Sequence, residues 1–234
     1  MKGRLKASIC VLTAFILLVG SAYINTYYRA SETTTDAVKN AEKLDKDILV
    51  FKPDDEIKAG LIFYPGGKVE YTAYASLMEA CAEEGILCVL MKMPCNLAVL
   101  DIHAAEGIQE QFPDVKEWYM GGHSLGGSMA ASYIGKNVED FKGLILLASY
   151  STEELSDKGV DVLSIYGTED QVLNKEKYME YEENLPADYR EVVIDGGCHA
   201  YFGNYGEQEG DGEAKISREE QQCMTVHAMK EFIK

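Results

Sequence analysis

The sequence predicts an α/β domain built on a mostly parallel central sheet with helices on both faces. Three observations carry that prediction. Apolar runs of strand length alternate with helical patterns along the chain, which is how a parallel sheet with crossover helices reads. Two runs, ILCVLM at 86–91 and FKGLILLA at 141–148, are almost wholly apolar, as strands buried on both faces are. Residues 116–135, KEWYMGGHSLGGSMAASYIG, read as a short strand, a glycine-crowded turn at Ser124 and a helix of small residues.

Taken in order, the polar stretch 30–46, SETTTDAVKNAEKLDKD, is expected as a stalk, and the domain proper is expected over 47–234. Ile48–Phe51 and Gly60–Tyr64 read as strands separated by the charged turn PDDEIK, and Pro65-Gly66-Gly67 breaks the second. Tyr71–Glu84 reads as one helix with Tyr74, Leu77, Met78 and Cys81 on a stripe. The strand Ile86–Met91 follows, then a loop running into a helix over Leu97–Gln111. After the Ser124 unit come strands over Phe141–Ala148, Val160–Tyr166 and Arg190–Ile194, with a helix over Asn174–Leu185 ended by Pro186. Glu207–Glu213 is a hydrophilic loop, and Ser217–Ile233 is a closing helix with Ser217 and Glu220 in capping-box spacing. No internal repeat is present. Between Ala148 and Val160 there is no room for an inserted lid domain, so the site should be open.

At 234 residues the chain suits one large α/β domain behind its N-terminal segment. Charge is lopsided. Lys2, Arg4, Lys6 and Arg29 are the only charged residues before Glu32, which leaves 18 Lys and Arg against 39 Asp and Glu in the rest. A body that acidic is repelled by nucleic acid and by anionic lipid surfaces, so no nucleic-acid partner is expected. Residues 1–29 combine a basic start with an uncharged run, and Ala7–Ile24 barely suffices to span a bilayer. Gly20-Ser21-Ala22 would serve as a cleavage site for a signal peptide. Tyr23, Tyr27 and Tyr28 instead resemble an interfacial aromatic belt, which favours one retained N-terminal apolar helix with the acidic body on the outer side of the cell membrane. Secretion after signal cleavage is the alternative. Of six cysteines, Cys10 lies in the apolar run, and none forms a C-x-x-C pair, so no metal site is expected; no cofactor is expected either.

The chemistry centres on Gly122-His123-Ser124-Leu125-Gly126, which fits G-x-S-x-G. That pattern seats a serine on a sharp strand-to-helix turn with its hydroxyl at the top of the sheet. The following helix aims its N-terminus at the serine, where free N–H groups favour developing negative charge. A serine hydroxyl is a weak nucleophile and needs a base oriented by a third group. The turn after VDVLSIY offers Glu169 and Asp170 for that third role, and Asp170 is the preferred candidate, because sites gather at the C-terminal edge of parallel strands. Among four histidines, His103 precedes the serine, His123 lies inside the turn and should point beneath the sheet, and His227 falls mid-helix. His199, in the glycine-rich loop after REVVID, remains as the base. For the oxyanion, one donor is the Leu125 amide and the other comes from Pro65-Gly66-Gly67-Lys68, with Gly67 ahead of Lys68.

The stretches FYPGGKVE, MPCNLAVLD, GGHSLGG, YGTEDQV and GGCHAYFGNYGEQEGDG, in that order, resemble the α/β-hydrolase superfamily. The chain is similar to its small bacterial membrane-tethered members, related in outline to dienelactone-hydrolase-like esterases. The resemblance implies an α/β-hydrolase fold with Ser124, Asp170 and His199 as nucleophile, acid and base. Dienelactone hydrolases typically carry a cysteine where this chain has Ser124, so that substrate is not implied. The expected activity is cleavage of an ester, thioester or related acyl bond of a small-molecule substrate. A non-catalytic envelope binding protein, or an acyltransferase or amidase using the same triad, would share most of these features. Tyr71, Tyr74, Met93, Asn96, Tyr201, Phe202 and Tyr205 are candidate pocket residues, several of which would serve equally as core.

Overall fold

The computed structural model describes residues 26–45 and 48–233. Its centre is an eight-stranded sheet in the order β1-β2-β4-β3-β5-β6-β7-β8. The strands are β1 (Glu42–Asp45), β2 (Ile48–Phe51), β3 (Ala59–Tyr64), β4 (Ile86–Met91), β5 (Trp118–His123), β6 (Gly143–Leu147), β7 (Asp161–Gly167) and β8 (Arg190–Ile194). Pairings β1–β2 and β2–β4 are antiparallel, and all others are parallel. The helices are α1 (Thr35–Asn40), α2 (Ala75–Glu83), α3 (Leu125–Ile134), α4 (Lys175–Glu180) and α5 (Arg218–Phe232).

The continuous apolar runs have a simple cause. Along β3, Leu61 and Phe63 enter one core with residues of α1, α2 and α5, while Ile62 and Tyr64 enter another with residues of α3. Along β6, Ile145 and Leu147 join the first core, and Leu144 and Leu146 the second. Side chains alternate across a strand, so a sheet covered on both faces needs an apolar residue at every position. The shared direction of the parallel strands carries their C-terminal ends to one edge, where the loops after β3, β5, β7 and β8 meet.

Several expectations change. The stretch 30–46 is not a stalk over its described residues: α1 packs Ala37 into the core and β1 extends the sheet as its edge strand. Tyr28 belongs to the domain as well. Its amide donates to the Lys68 carbonyl at 2.7 Å, its carbonyl accepts from Glu70 N–H at 2.8 Å, and its ring lies 5.5 Å from that of Tyr205. Polar composition concealed a short helix with few apolar residues. The helix expected over 71–84 starts as a 3-10 turn at Tyr71–Tyr74 before α2 begins. No helix forms over 97–111, only the 3-10 turns Ala98–Leu100 and Gln109–Gln111, because Ala98, Ala105 and Ile108 anchor an irregular segment to the second core instead. The helix expected over 174–185 stops at Glu180 and ends in a 3-10 turn at Glu182–Asn184. The capping box of α5 is formed, Ser217 and Glu220 each accepting from the other's main-chain N–H. The connection from β6 to β7 carries no helix or strand, so no lid domain stands over the sheet edge.

The apolar helix expected over 7–24 lies outside the described residues. Among the described residues, no helix is long and apolar enough to cross a membrane. No disulfide links the cysteines of the described residues: Cys81, Cys88 and Cys198 are buried, Cys95 and Cys223 exposed.

Candidate active site

Ser124 sits between β5 and α3 with φ 52° and ψ −124°, a left-handed conformation that costs an L residue about 1–3 kcal/mol. Its surroundings over-determine it. The Ser124 amide donates to the Leu147 carbonyl at 2.9 Å, and the Ser149 hydroxyl donates to the Ser124 carbonyl at 2.7 Å. A Cβ on Gly126 would lie 2.3 Å from the Tyr64 and Pro65 carbonyl oxygens, and one on Gly122 would lie 2.6 Å from Gly126 main chain. Only glycine lets the bend close this tightly.

His199 and Asp170 stand in the loops after β8 and β7. His199 Nδ1 donates to Asp170 Oδ2 at 2.9 Å, and both side chains are almost wholly buried. The other oxygen, Asp170 Oδ1, accepts from the Val172 and Leu173 amides at 2.9 and 2.8 Å. With its proton on Nδ1, the imidazole keeps a lone pair on Nε2, which is buried and without a hydrogen-bond partner. Glu169 points elsewhere. It accepts from Lys215 at 2.6 Å, and that ammonium holds its carboxyl below the usual carboxylate range.

The two loops are tied to one another and to α5. Gln221 brackets the His199 loop, accepting from Cys198 N–H at 2.9 Å and donating to the Cys198 carbonyl at 2.8 Å. The Glu207–Glu213 loop, whose part the sequence left open, supplies Asp211. Its carboxylate accepts from the amides of Ala200 at 2.8 Å, His199 at 3.2 Å and Gln171 at 3.3 Å, joining the His199 loop to the Asp170 turn. Sequence reasoning passed over Asp211, since an acid in a hydrophilic loop carries no spacing signal.

Ser124 and His199 line one open cleft of about 240 Å³, together with Leu125, Ser149, Tyr150, Leu173 and Asn174. The Ser124 hydroxyl makes no hydrogen bond among the described residues. Catalytic contacts of this kind are often long until substrate arrives. Gly67 lies against Leu125, where a Cβ on the glycine would meet Leu125 Cδ2 at 2.9 Å. As the first residue of α3, Leu125 has an amide with no acceptor inside the helix. The Lys68 amide is spent on the Asn96 carbonyl at 2.8 Å, which removes the second choice for an oxyanion donor. None of the seven pocket candidates expected from sequence lines this cleft; Tyr74, Met93, Phe202 and Tyr205 are core residues, the alternative the sequence allowed.

A parallel sheet with antiparallel β2, a strained serine between β5 and α3, and an acid and a histidine after β7 and β8 define a class of fold. Comparison with known proteins agrees. The sequence model of the alpha/beta hydrolase family matches residues 60–223, more than half of the chain, and the chain belongs to that family. No curated protein matches the sequence. Among solved structures it is similar to Est1E from Butyrivibrio proteoclasticus, at 16% identity and a TM-score of 0.59 over 82% of this chain and 97% of that one. It is also similar to a soluble variant of monoglyceride lipase from Saccharomyces cerevisiae, at 12% identity and a TM-score of 0.61 over 83% and 94% of the two chains. A monoacylglycerol lipase from Paleococcus ferrophilus gives 13% identity and a TM-score of 0.60 over 79% and 98%. At these identities the likeness is one of fold.

Proposed function

We propose that the protein is a serine hydrolase that cleaves an ester, thioester or related acyl bond through an acyl-enzyme. The observation that carries this reading is the buried His199–Asp170 pair at 2.9 Å, whose free Nε2 belongs to a histidine lining the same cleft as Ser124. Ser124 Oγ attacks the acyl carbon as its proton passes to His199 Nε2. Asp170 holds the ring and stabilises the imidazolium. The carbonyl oxygen, now negative, accepts from the amides of Leu125 and Gly67. Collapse of the tetrahedral adduct breaks the bond to the leaving alcohol or thiol, which takes the proton from Nε2. Water then repeats the cycle on the acyl-serine and releases the acid.

Uptake of a fluorophosphonate probe, with turnover of p-nitrophenyl acetate, tests the reading. Monoacylglycerols and a feruloyl ester extend the panel, since two monoglyceride lipases and Est1E, which binds ferulic acid, share the fold. Ser124→Ala should lose probe uptake and turnover while melting close to the parent. Undiminished labelling of that variant overturns it. The basic start and the apolar run Ala7–Ile24 support a domain held outside the cell membrane. External protease on intact spheroplasts should then remove the domain, and full-length protein in the cytosolic fraction would contradict that placement.

A further inference from the structure

His123 is a second histidine buried at the site, and the proposed mechanism does not use it. It is 1% exposed, and its ring centroid lies 4.5 Å from that of His199. Phe202 closes on the same ring at 5.5 Å. The hydrogen bonds around it fix its tautomer. Gly66 N–H donates to Tyr74 Oη at 3.1 Å, and Tyr74 Oη lies 2.7 Å from His123 Nδ1. With the oxygen already accepting from Gly66, the hydroxyl proton goes to Nδ1, its only acceptor among the described residues. The ring therefore carries its own proton on Nε2; that buried N–H makes no hydrogen bond of good geometry, and the ring's remaining polar contact is with the His199 main chain. Burial holds the ring's pKa well below the ordinary histidine value; charge on His199 pushes the same way and contact with the His199 main chain pushes back more weakly, so the ring stays neutral beside an imidazole that must become charged.

We infer that His123 is a positioning residue: its ring is the floor on which the His199 imidazole is seated, and through Tyr74 it locks that base to the Gly66–Gly67 loop. The inference rests on the acyl-enzyme reading. A single connected set of contacts, Gly66 to Tyr74 to His123 to His199, sets the distance between the oxyanion loop and the base. A protein chain that merely filled this space would have an apolar residue at 123 and no need of the hydroxyl at 74.

The test uses the full chain and active-site titration with fluorophosphonate, so that kcat on p-nitrophenyl acetate is expressed per competent site. His123→Phe keeps the ring and loses the acceptor; Tyr74→Phe keeps the packing and loses the hydroxyl; His123→Asn offers Oδ1 where Nδ1 stood. Each Phe variant should lower per-site kcat about tenfold, the size of one buried hydrogen bond, with KM little changed. The double variant should be no worse than either single one, because both cut the same link. His123→Asn keeps an acceptor for Tyr74 but gives up the ring, so it should recover the part of the loss that the hydrogen bond carries and no more. By NMR, the low-field Nδ1–H resonance of His199 should shift or broaden in both Phe variants and return in the Asn variant. A purely structural role would lower the titratable fraction and the melting temperature while leaving per-site kcat intact. Parent-like per-site kcat in both Phe variants, with the parent labelling normally, overturns this inference alone. A parent that takes up no probe overturns the hydrolase reading and this inference with it.

Discussion

Replacing Asp170 by Asn isolates the acid's part in the site. Asp170 Oδ1 accepts two main-chain N–H groups, and Oδ2 accepts the His199 Nδ1 proton, with the carboxylate 1% exposed. An asparagine can take two orientations there. With its amide NH₂ toward the Val172 and Leu173 amides, two buried donors lose their acceptor, at about 1–3 kcal/mol each. With its oxygen kept on those amides, the NH₂ meets His199 Nδ1, and the ring must move its proton to Nε2. The second orientation is the cheaper by a few kcal/mol, and it removes the lone pair that would accept the Ser124 proton. In a protease where the same exchange has been made, the loss is about 10⁴ in turnover, near 5 kcal/mol of barrier. Asp170→Asn should therefore lower kcat for p-nitrophenyl acetate by three to four orders of magnitude, roughly, and slow fluorophosphonate uptake in parallel, with the fold kept by its retained amide contacts. Glu169→Gln breaks only the pair with Lys215 and should stay within a few-fold of the parent. If Asp170→Asn kept turnover within about tenfold and Glu169→Gln abolished it, Glu169 would be the acid and Asp170 a turn residue, the reverse of the roles assigned to them.

Two further outcomes test the packing around the site. Gly126→Ala would drive a Cβ to 2.3 Å from two main-chain oxygens that cannot move without breaking β3, so soluble folded protein should be scarce and its melting temperature lower by about 10 °C or more. Acid should destabilise the protein through His123: its folded pKa lies below the ordinary 6.5, so the unfolded chain takes up a proton that the folded one refuses. That contribution is fully present above pH 6.5 and is lost on going down from there, at up to about 1.4 kcal/mol per pH unit, so denaturant unfolding of His123→Asn should show a flatter stability curve between pH 6.5 and 5 than the parent does. Parallel curves would mean that His123 is not the group responsible.

What repeats locally could be read from the residues without coordinates. Runs such as ILCVLM become strands buried on both faces because a two-sided core demands apolar residues at each position, and that demand is written into the run itself. The elbow was equally legible, since its five-residue motif marks it, although only Gly122 answers a need set within the turn; Gly126 makes room for the Tyr64 and Pro65 carbonyls at the end of β3. Whatever depends on partners distant in the chain became visible only in the folded molecule. The stretch 30–46 read as a polar stalk because its hydrophobic contribution is small, and only contacts such as Ala37 in the first core and Ser31 N–H on the Asn204 carbonyl make its described residues part of the domain. Asp170 and Glu169 are adjacent and chemically alike, and what separates them is that the chain turns one carboxylate to His199 and the other to Lys215. His123 fills a position that the serine motif leaves unspecified, and Tyr74 and Asp211 lie in no motif. Their parts arise where loops after different strands converge on one edge of the sheet, and a buried hydrogen bond spanning 49 residues, as between Tyr74 and His123, leaves no periodic trace in the sequence that makes it.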